Sequence, residues 1–323
     1  MVICAFTELR WGDLVAAVNS VTQQSRAADE IVIVIDHNTD LHSRASAEFP
    51  SARVIASENA PGLSGARNSG VETTSGDVVV FMDDDAVADR NWLETLLSHY
   101  CDPRVIAVGG AVLPRWDHGR PAGFPEEFDW VVGCTYRGMP TCRTPVRNLI
   151  GANMSFRRDV FRVIGGFTDG IGRVGGRAAG CEETELCIRA GVAFPAGVIL
   201  YEPAARVSHR VPTVRASWRY FGARCYREGL SKALVTQRAG VSPGLSCERA
   251  HAARTIPVGV VRGVRSALSG DRAGLARAAA LVVGLWVTTV GFVVGRTRHT
   301  APSRARSHQR HLFARHLSSR PTS

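Results

Sequence analysis

VVVFMDDDAV, residues 78–87, is an apolar run that ends in three consecutive carboxylates. Val and Phe suit a pleated, buried surface, so the run reads as a strand up to the first charge at Asp83. Asp83, Asp84 and Asp85 then repel one another and raise one another's pKa, which disfavours the folded state unless something positive answers them. A hard divalent cation such as Mg²⁺ or Mn²⁺ prefers carboxylate oxygens and would do so. A solvated acidic turn before the next helix, with Asp89 capping Trp92-Leu93, would also account for the triplet. The surrounding chain has to decide.

Working outward, short β-rich runs recur at Val2–Phe6, Ile31–Ile35 and Arg53–Ala56. Between the first two, Asp13–Val21 places Leu14, Val15, Val18 and Val21 on one helical face. The uninterrupted IVIVI at 31–35 suits a strand buried on both faces, and strands separated by helices predict an open α/β sheet. Ligands bind such sheets at the carboxyl ends of the strands. Asp36 and the Asp83–Asp85 triplet both fall there, on one rim, which favours the cation. The turn after the first strand, FTELRWGD, carries no G-x-G-x-x-G, and no P-loop is present. The stretch ENAPGLSGARNSG (58–70) reads as a Gly- and Asn-rich loop whose backbone N–H groups and Arg67 could face an anion.

Further on, GANMSFRRDVFRVIGGF (151–167) reads as a strand or loop feeding a short helix. DGIGRVGGRAAG (169–180) holds five glycines in twelve residues and is a candidate lid. Directly after it, CEETELCIRAG opens a helix with Glu182, Glu183 and Glu185. Acidic residues there answer the helix dipole; one of them could equally project into the rim as a general base.

The charge is unevenly placed. Residues 1–212 hold 20 Lys/Arg against 26 Asp/Glu, a balance of −6, whereas residues 213–323 hold 19 against 3, a balance of +16. Lys232 is the single lysine, and the Arg, Ala, Gly and Val bias fits a GC-rich genome, although that does not explain where the charge sits. The eight cysteines form no C-x-x-C pair, so they read as buried thiols in a reducing compartment. The N-terminus opens into a strand-like VICAF, so no signal peptide is expected.

In chain order, strand–FTE, IVIVIDHN, NAPGLSGARNSG, VVVFMDDDAV, GANMSFRRDVFRVIGGF, EETEL and EPAARVSH resemble the family-2 glycosyltransferases of the GT-A fold, over roughly residues 1–212. The resemblance implies a nucleotide-sugar-binding α/β domain, with an open mixed sheet flanked by helices, that transfers a sugar with inversion. It implies that Ala5, Thr7 and Glu8 line the base pocket and that Asp36 accepts a hydrogen bond from the base. Arg67 and Asn68 would help hold the donor. Asp83 and Asp85 match the D-x-D pair, with Asp84 in its variable place, and would bind Mn²⁺ or Mg²⁺ at the donor diphosphate. His209 matches a histidine near that metal; a buried histidine after a strand would look the same. The family's usual Glu-Asp is replaced here by Glu182-Glu183, and Glu183 is the expected base, with Glu182 or Glu185 as alternatives.

Residues 213–300 read as a helical, basic and apolar region, and 301–323 as a disordered tail. Arg215, Arg219, Arg224 and Arg227 interleave with Trp218, Tyr220, Phe221 and Tyr226. Between Arg277 and Arg296 lie 18 uncharged residues, the lower edge for a membrane crossing. Basic residues on both flanks do not favour one crossing, so a peripheral or re-entrant segment on the cytoplasmic face of the plasma membrane is expected, held by anionic lipid. Such an apolar run does not serve nucleic acid. The expected function is a metal-dependent glycosyltransferase acting on a saccharide or lipid-linked acceptor in cell-envelope synthesis. A nucleotidyltransferase and a non-catalytic sugar-nucleotide-binding scaffold are the alternatives; the first should carry a Gly-rich N-terminal loop that FTELRWGD lacks.

Overall fold

A computed structural model describes residues 1–169, 180–239, 245 and 248–300. The glycine-rich candidate lid and the C-terminal tail lie, for the most part, outside the described residues. The described strands form a nine-stranded mixed sheet in the order Arg53–Ala56, Val32–Ile35, Val2–Ala5, Val78–Asp83, Asn153–Arg157, Val105–Trp116, Val198–Val211 and Ala86–Ala88, with Thr144–Pro145 beside Val198–Val211.

The first half is the parallel layer expected from the alternation of strand and helix. It comprises β1 (Val2–Ala5), α1 (Trp11–Thr22), β2 (Val32–Ile35), α2 (Thr39–Glu48), β3 (Arg53–Ala56), α3 (Leu63–Thr73) and β4 (Val78–Asp83). Every residue of β2 is buried, because helices cover both faces of the sheet. Leu14, Ala17, Val18 and Val21 form the buried face of α1, close to the periodicity of the sequence. Asn38 starts α2 by accepting a hydrogen bond from the Leu41 N–H at 2.9 Å.

One expectation is overturned here. The Gly-rich stretch 58–70 is not wholly a loop: from Leu63 it is the helix α3. Its helical glycines, Gly65 and Gly70, serve contact rather than freedom. A Cβ on Gly70 would overlap Val2, so only glycine lets the helix lie this close to β1. Arg67 and Asn68 are therefore fixed on a helix face, not presented by an open loop.

The second half is mixed and longer. It adds β5 (Ala86–Ala88), α4 (Trp92–Ser98), β6 (Val105–Trp116), β7 (Thr144–Pro145), β8 (Asn153–Arg157), α5 (Arg158–Ile164), α6 (Glu182–Ala193) and β9 (Val198–Val211). β8 runs antiparallel to both β4 and β6. β6 and β9 pair in parallel with a register shift at Gly110/Ala111. Buried Asn153 holds that irregularity: its Nδ2 donates to the Ala111 and Ala205 carbonyls, each at 2.9 Å, while its Oδ1 accepts from the Trp92 indole at 2.8 Å.

Three long helices follow: α7 (Trp218–Ala239), α8 (Ile256–Leu268) and α9 (Ala273–Thr300). α9 does find an apolar partner. Gly284 meets Phe128, Gly291 the backbone of Tyr226, and Gly295 the Ala233 methyl, so one face of α9 is seated on α7 and on the 3₁₀ segment Glu126–Val132. Its other face, with Val282, Val283, Trp286 and Val293, is exposed. Among the described cysteines none is bridged, and Cys101 and Cys142 are exposed rather than buried.

Candidate active site

The triplet sits where β4 ends and β5 begins, and strand pairing supplies its partners. β5 pairs with β9 so that Ala86 lies opposite His209. The Arg210 N–H donates to the Asp85 carbonyl at 2.9 Å and locks this register. His209 Nε2 consequently lies 3.0 Å from Asp85 Oδ1, although the two are far apart in sequence. One ligand atom each from Asp83, Asp85 and His209 falls within 4.8 Å of the others. Two carboxylates and an imidazole so close together suit one divalent cation such as Mn²⁺ or Mg²⁺. Asp84 Oδ2 is also buried without a partner among the described residues.

Arginines share the task given to the metal. Arg10 Nη1 lies 2.8 Å from both Asp84 Oδ1 and Asp85 Oδ2, and Arg215 Nη2 lies 3.4 Å from Asp85 Oδ2. Burial works to raise the Asp85 carboxyl, but His209, then Arg215 and Arg10, hold it well below the usual carboxylate range. For Asp84 burial wins, with repulsion from Asp85 and Asp83 added, and its carboxyl is pushed well above that range despite Arg10. Neither Arg10 nor Arg215 was singled out for this role in the sequence, because both contacts are long-range.

Buried Arg67 bridges the two acidic groups. Its Nη2 is 3.2 Å from Asp83 Oδ1 and its Nη1 3.0 Å from Glu182 Oε1; Nη2 also donates to the Gly151 carbonyl at 3.1 Å. Asn68 is directed elsewhere, exchanging two hydrogen bonds with the Phe167 backbone at 2.9 and 2.7 Å. Asp36, at the end of β2, accepts from the Gly62 N–H at 2.9 Å, a donor made available by the left-handed φ of +123° at Gly62. Ala5 packs its methyl into the core, Thr7 caps the short turn after β1, and Glu8 is exposed.

The three glutamates at the start of α6 are separated by the helix. Glu182 faces Arg67. Glu185 is held by Arg189 at 2.8 and 2.9 Å and by the Thr168 hydroxyl at 3.1 Å. Glu183 lines a cavity of about 240 Å³ together with Asp83, His209 and Arg67. Burial, then the neighbouring Glu182 charge, pushes the Glu183 carboxyl up to about 8. Ahead of them Cys181 adopts φ +76°, a strained conformation for a non-glycine residue that sets the entry of the helix. The opposite wall of the cavity comes from α7, α9 and the segment preceding α8, including Arg224, Lys232, Glu248 and Leu285.

The family model for glycosyl transferase family 2 matches residues 1–165. A Glucosyl-dolichyl phosphate glucuronosyltransferase of Haloferax volcanii is 36% identical over 239 residues, covering 73% of this chain and 76% of its own. A Pre-mycofactocin glycosyltransferase of Mycobacterium tuberculosis is 27% identical over 72% of this chain, which spans only 45% of that protein. Two solved structures share the fold. The mannosyltransferase PcManGT from Pyrobaculum calidifontis, in complex with GDP-Man and Mn²⁺, superposes with a TM-score of 0.57 at 16% identity over 93% of this chain and 86% of its own. GalNAc-T7 with UDP, GalNAc and Mn²⁺ gives 0.50 at 18% identity, over 77% of this chain and 53% of its own.

Proposed function

Because the chain belongs to the family-2 glycosyltransferases, we propose that it is a metal-dependent inverting enzyme that moves a sugar from a nucleotide-sugar donor to a hydroxyl of a lipid-linked saccharide. The observation that carries this is the convergence of Asp83 and His209, which group with Asp85, and of Glu183 on one cavity. A bound Mn²⁺ or Mg²⁺ would supply Lewis-acid neutralisation of the leaving diphosphate. The chain's own residues do the remainder. Arg67 fixes Asp83 in the rim and separates it from Glu182. Asp36 stands on the same rim for the nucleobase. Glu183 draws the proton from the acceptor hydroxyl, the step that makes a poor nucleophile reactive.

The acceptor class is supported by the likeness to the dolichyl phosphate-acting relative and by the mixed apolar and cationic wall facing the base. A nucleotide-activated glucuronate is accordingly the first donor to try. We place the enzyme at the cytoplasmic face of the membrane, attached through the exposed apolar faces of α8 and α9.

A screen of sugar nucleotides by thermal shift, with and without Mn²⁺, tests the reading. A true donor at about 100 times its Kd should add roughly 2.7 kcal/mol of stability. That gain should require the metal and should vanish in Asp85→Asn, judged as the difference with and without Mn²⁺ because the substitution also disturbs Arg10 and Arg215. A full set of nucleotide sugars giving no metal-dependent shift would refute the proposal.

A further inference from the structure

Facing the base, the cavity holds a cluster of ions, from the helical region and the segment after β7, that the donor site does not use. Arg147 grips Glu248 with both arms of its guanidinium, Nη1 to Oε2 and Nη2 to Oε1, each at 2.8 Å. Lys232 Nζ closes on the same carboxylate at 2.7 Å. Arg224 stands beside them, paired to Glu228 at 3.0 Å, and its guanidinium packs against Gly180 immediately before the acidic start of α6. These cations thus line the same cavity as the candidate base.

A planar fork plus an ammonium is the donor set that recognises an oxyanion of carboxylate or phosphate type. More donors are present than one carboxylate satisfies. Arg224 is 8% exposed, yet its Nε has no partner among the described residues, and neither ring nitrogen of cavity-lining His251 has one. Buried donors left unpaired are costly and call for an explanation, commonly a ligand. Glu248 is also the more exposed of the two acids, its side chain 31% accessible against 14% for Glu228. It reaches in from the edge of the cavity instead of belonging to its floor.

Resting on the glycosyltransferase reading above, we propose that Arg147, Lys232 and Arg224 form the subsite for the phosphodiester of a lipid-linked sugar acceptor. In the acceptor-free protein Glu248 occupies that subsite. A phosphodiester carries the same single negative charge as Glu248, so exchange leaves the charge of the wall unchanged, and its extra oxygens can meet Arg224 Nε and His251. The donor diphosphate is a poorer match, because its metal group, Asp83, Asp85 and His209, lies on the sheet wall. Phe128, Trp130, Ile256 and Leu285 line the same cavity and offer apolar surface to the first prenyl units. Beyond them stand the exposed apolar residues of α8 and α9.

The probe is geranyl methyl phosphate, a singly charged phosphodiester, against geraniol, with binding measured by calorimetry on the full chain in detergent. The wild type should bind the phosphate at least about tenfold more tightly than the alcohol. Lys232→Gln and Arg147→Gln should abolish that preference, and Glu248→Gln, which removes the internal competitor, should strengthen it. Equal affinity for phosphate and alcohol in the wild type overturns the subsite without any variant having to fold. Glu248→Gln that weakens phosphate binding also overturns it, since the carboxylate would then be structural support and no competitor. The affinity of the donor with Mn²⁺, measured in the same proteins, keeps the two readings apart. If it changes in Lys232→Gln while the preference for geranyl methyl phosphate does not, the cations serve the donor diphosphate and the subsite is refuted; normal donor binding with no preference refutes the subsite and leaves the transferase standing.

Discussion

Glu183 combines a raised pKa with a place on the cavity wall, and both have measurable consequences. As a general base it works ionised, and with its carboxyl at about 8 the ionised fraction grows as pH rises through that value. The turnover rate should climb from pH 6.5, reach half its plateau near pH 8 and level off above about 9, with the rate at pH 7 roughly a tenth of the plateau. Glu183→Gln should lower transfer by about 10²–10⁴-fold while leaving donor affinity intact. A flat profile, or the same loss in Glu182→Gln with none in Glu183→Gln, would move the role to the neighbouring acid. The shift also has a sign for stability. The folded protein holds this proton up to about pH 8 and the unfolded chain releases it near the ordinary carboxylate pKa, so Glu183 erodes stability as pH rises between them. Glu183→Gln should therefore melt higher than wild type at pH 8, and the gain should shrink toward pH 4.5. At this scale the acidic residues were legible, because repulsion among Asp83, Asp84 and Asp85 already demanded a positive partner. The identity of that partner was only half legible: Arg10 and Arg215 join the triplet through contacts 75 and 130 residues apart, which no local pattern encodes.

At the level of elements, periodicity gave the parallel half almost residue by residue, since β2 and α1 are formed by runs whose burial repeats in the sequence. It failed at α3, where Gly65 and Gly70 resemble loop residues but mark close backbone approach to Ala60 and Val2. Glycine lowers helix propensity, and here tertiary packing overrides it. The irregular β6–β9 pairing was equally hidden, because its determinant is one buried amide rather than a run of residues. Asn153 satisfies the Trp92 indole and the Ala111 and Ala205 carbonyls at once. Asn153→Leu fits the volume but strands all three groups, at about 1–3 kcal/mol for each one that water cannot reach. The expected result is a fall of several kcal/mol in urea unfolding, with the register that carries His209 to Asp85 loosened as well. An unchanged midpoint would mean that the β6–β9 irregularity is held by other contacts.

For the whole molecule, the helical region is one wall of the cavity and, in the proposed reading, also the membrane attachment. α9 has the composition of a span, with a mean hydropathy of 2.1 over its most apolar window. Yet the glycine seam formed by Gly284, Gly291 and Gly295 seats one face of it on the catalytic side of the protein. A helix that crossed the bilayer would have to abandon this seam, so attachment through the opposite face is the arrangement compatible with the packing. That face carries Val282, Val283, Trp286 and Val293, and α8 adds Val258, Val261, Val264 and Leu268, with Arg265 beside them. Arginine attraction to anionic lipid is screened by salt, whereas burial of valine and tryptophan in the acyl region is not. Fractionation should accordingly give partial release in high salt and full release only in detergent. Val282→Asp with Val283→Asp and Val293→Asp places charge on the exposed face alone and leaves the seam intact. This variant should stay folded, keep its donor-dependent thermal shift and move to the soluble fraction. The matching change at Val287, Val290 and Val294, which are half-buried, should unfold the helical wall instead. If the exposed-face variant remains folded and still pellets with membranes, α8 and α9 are not the anchor, and the apolar surface they present serves a protein partner.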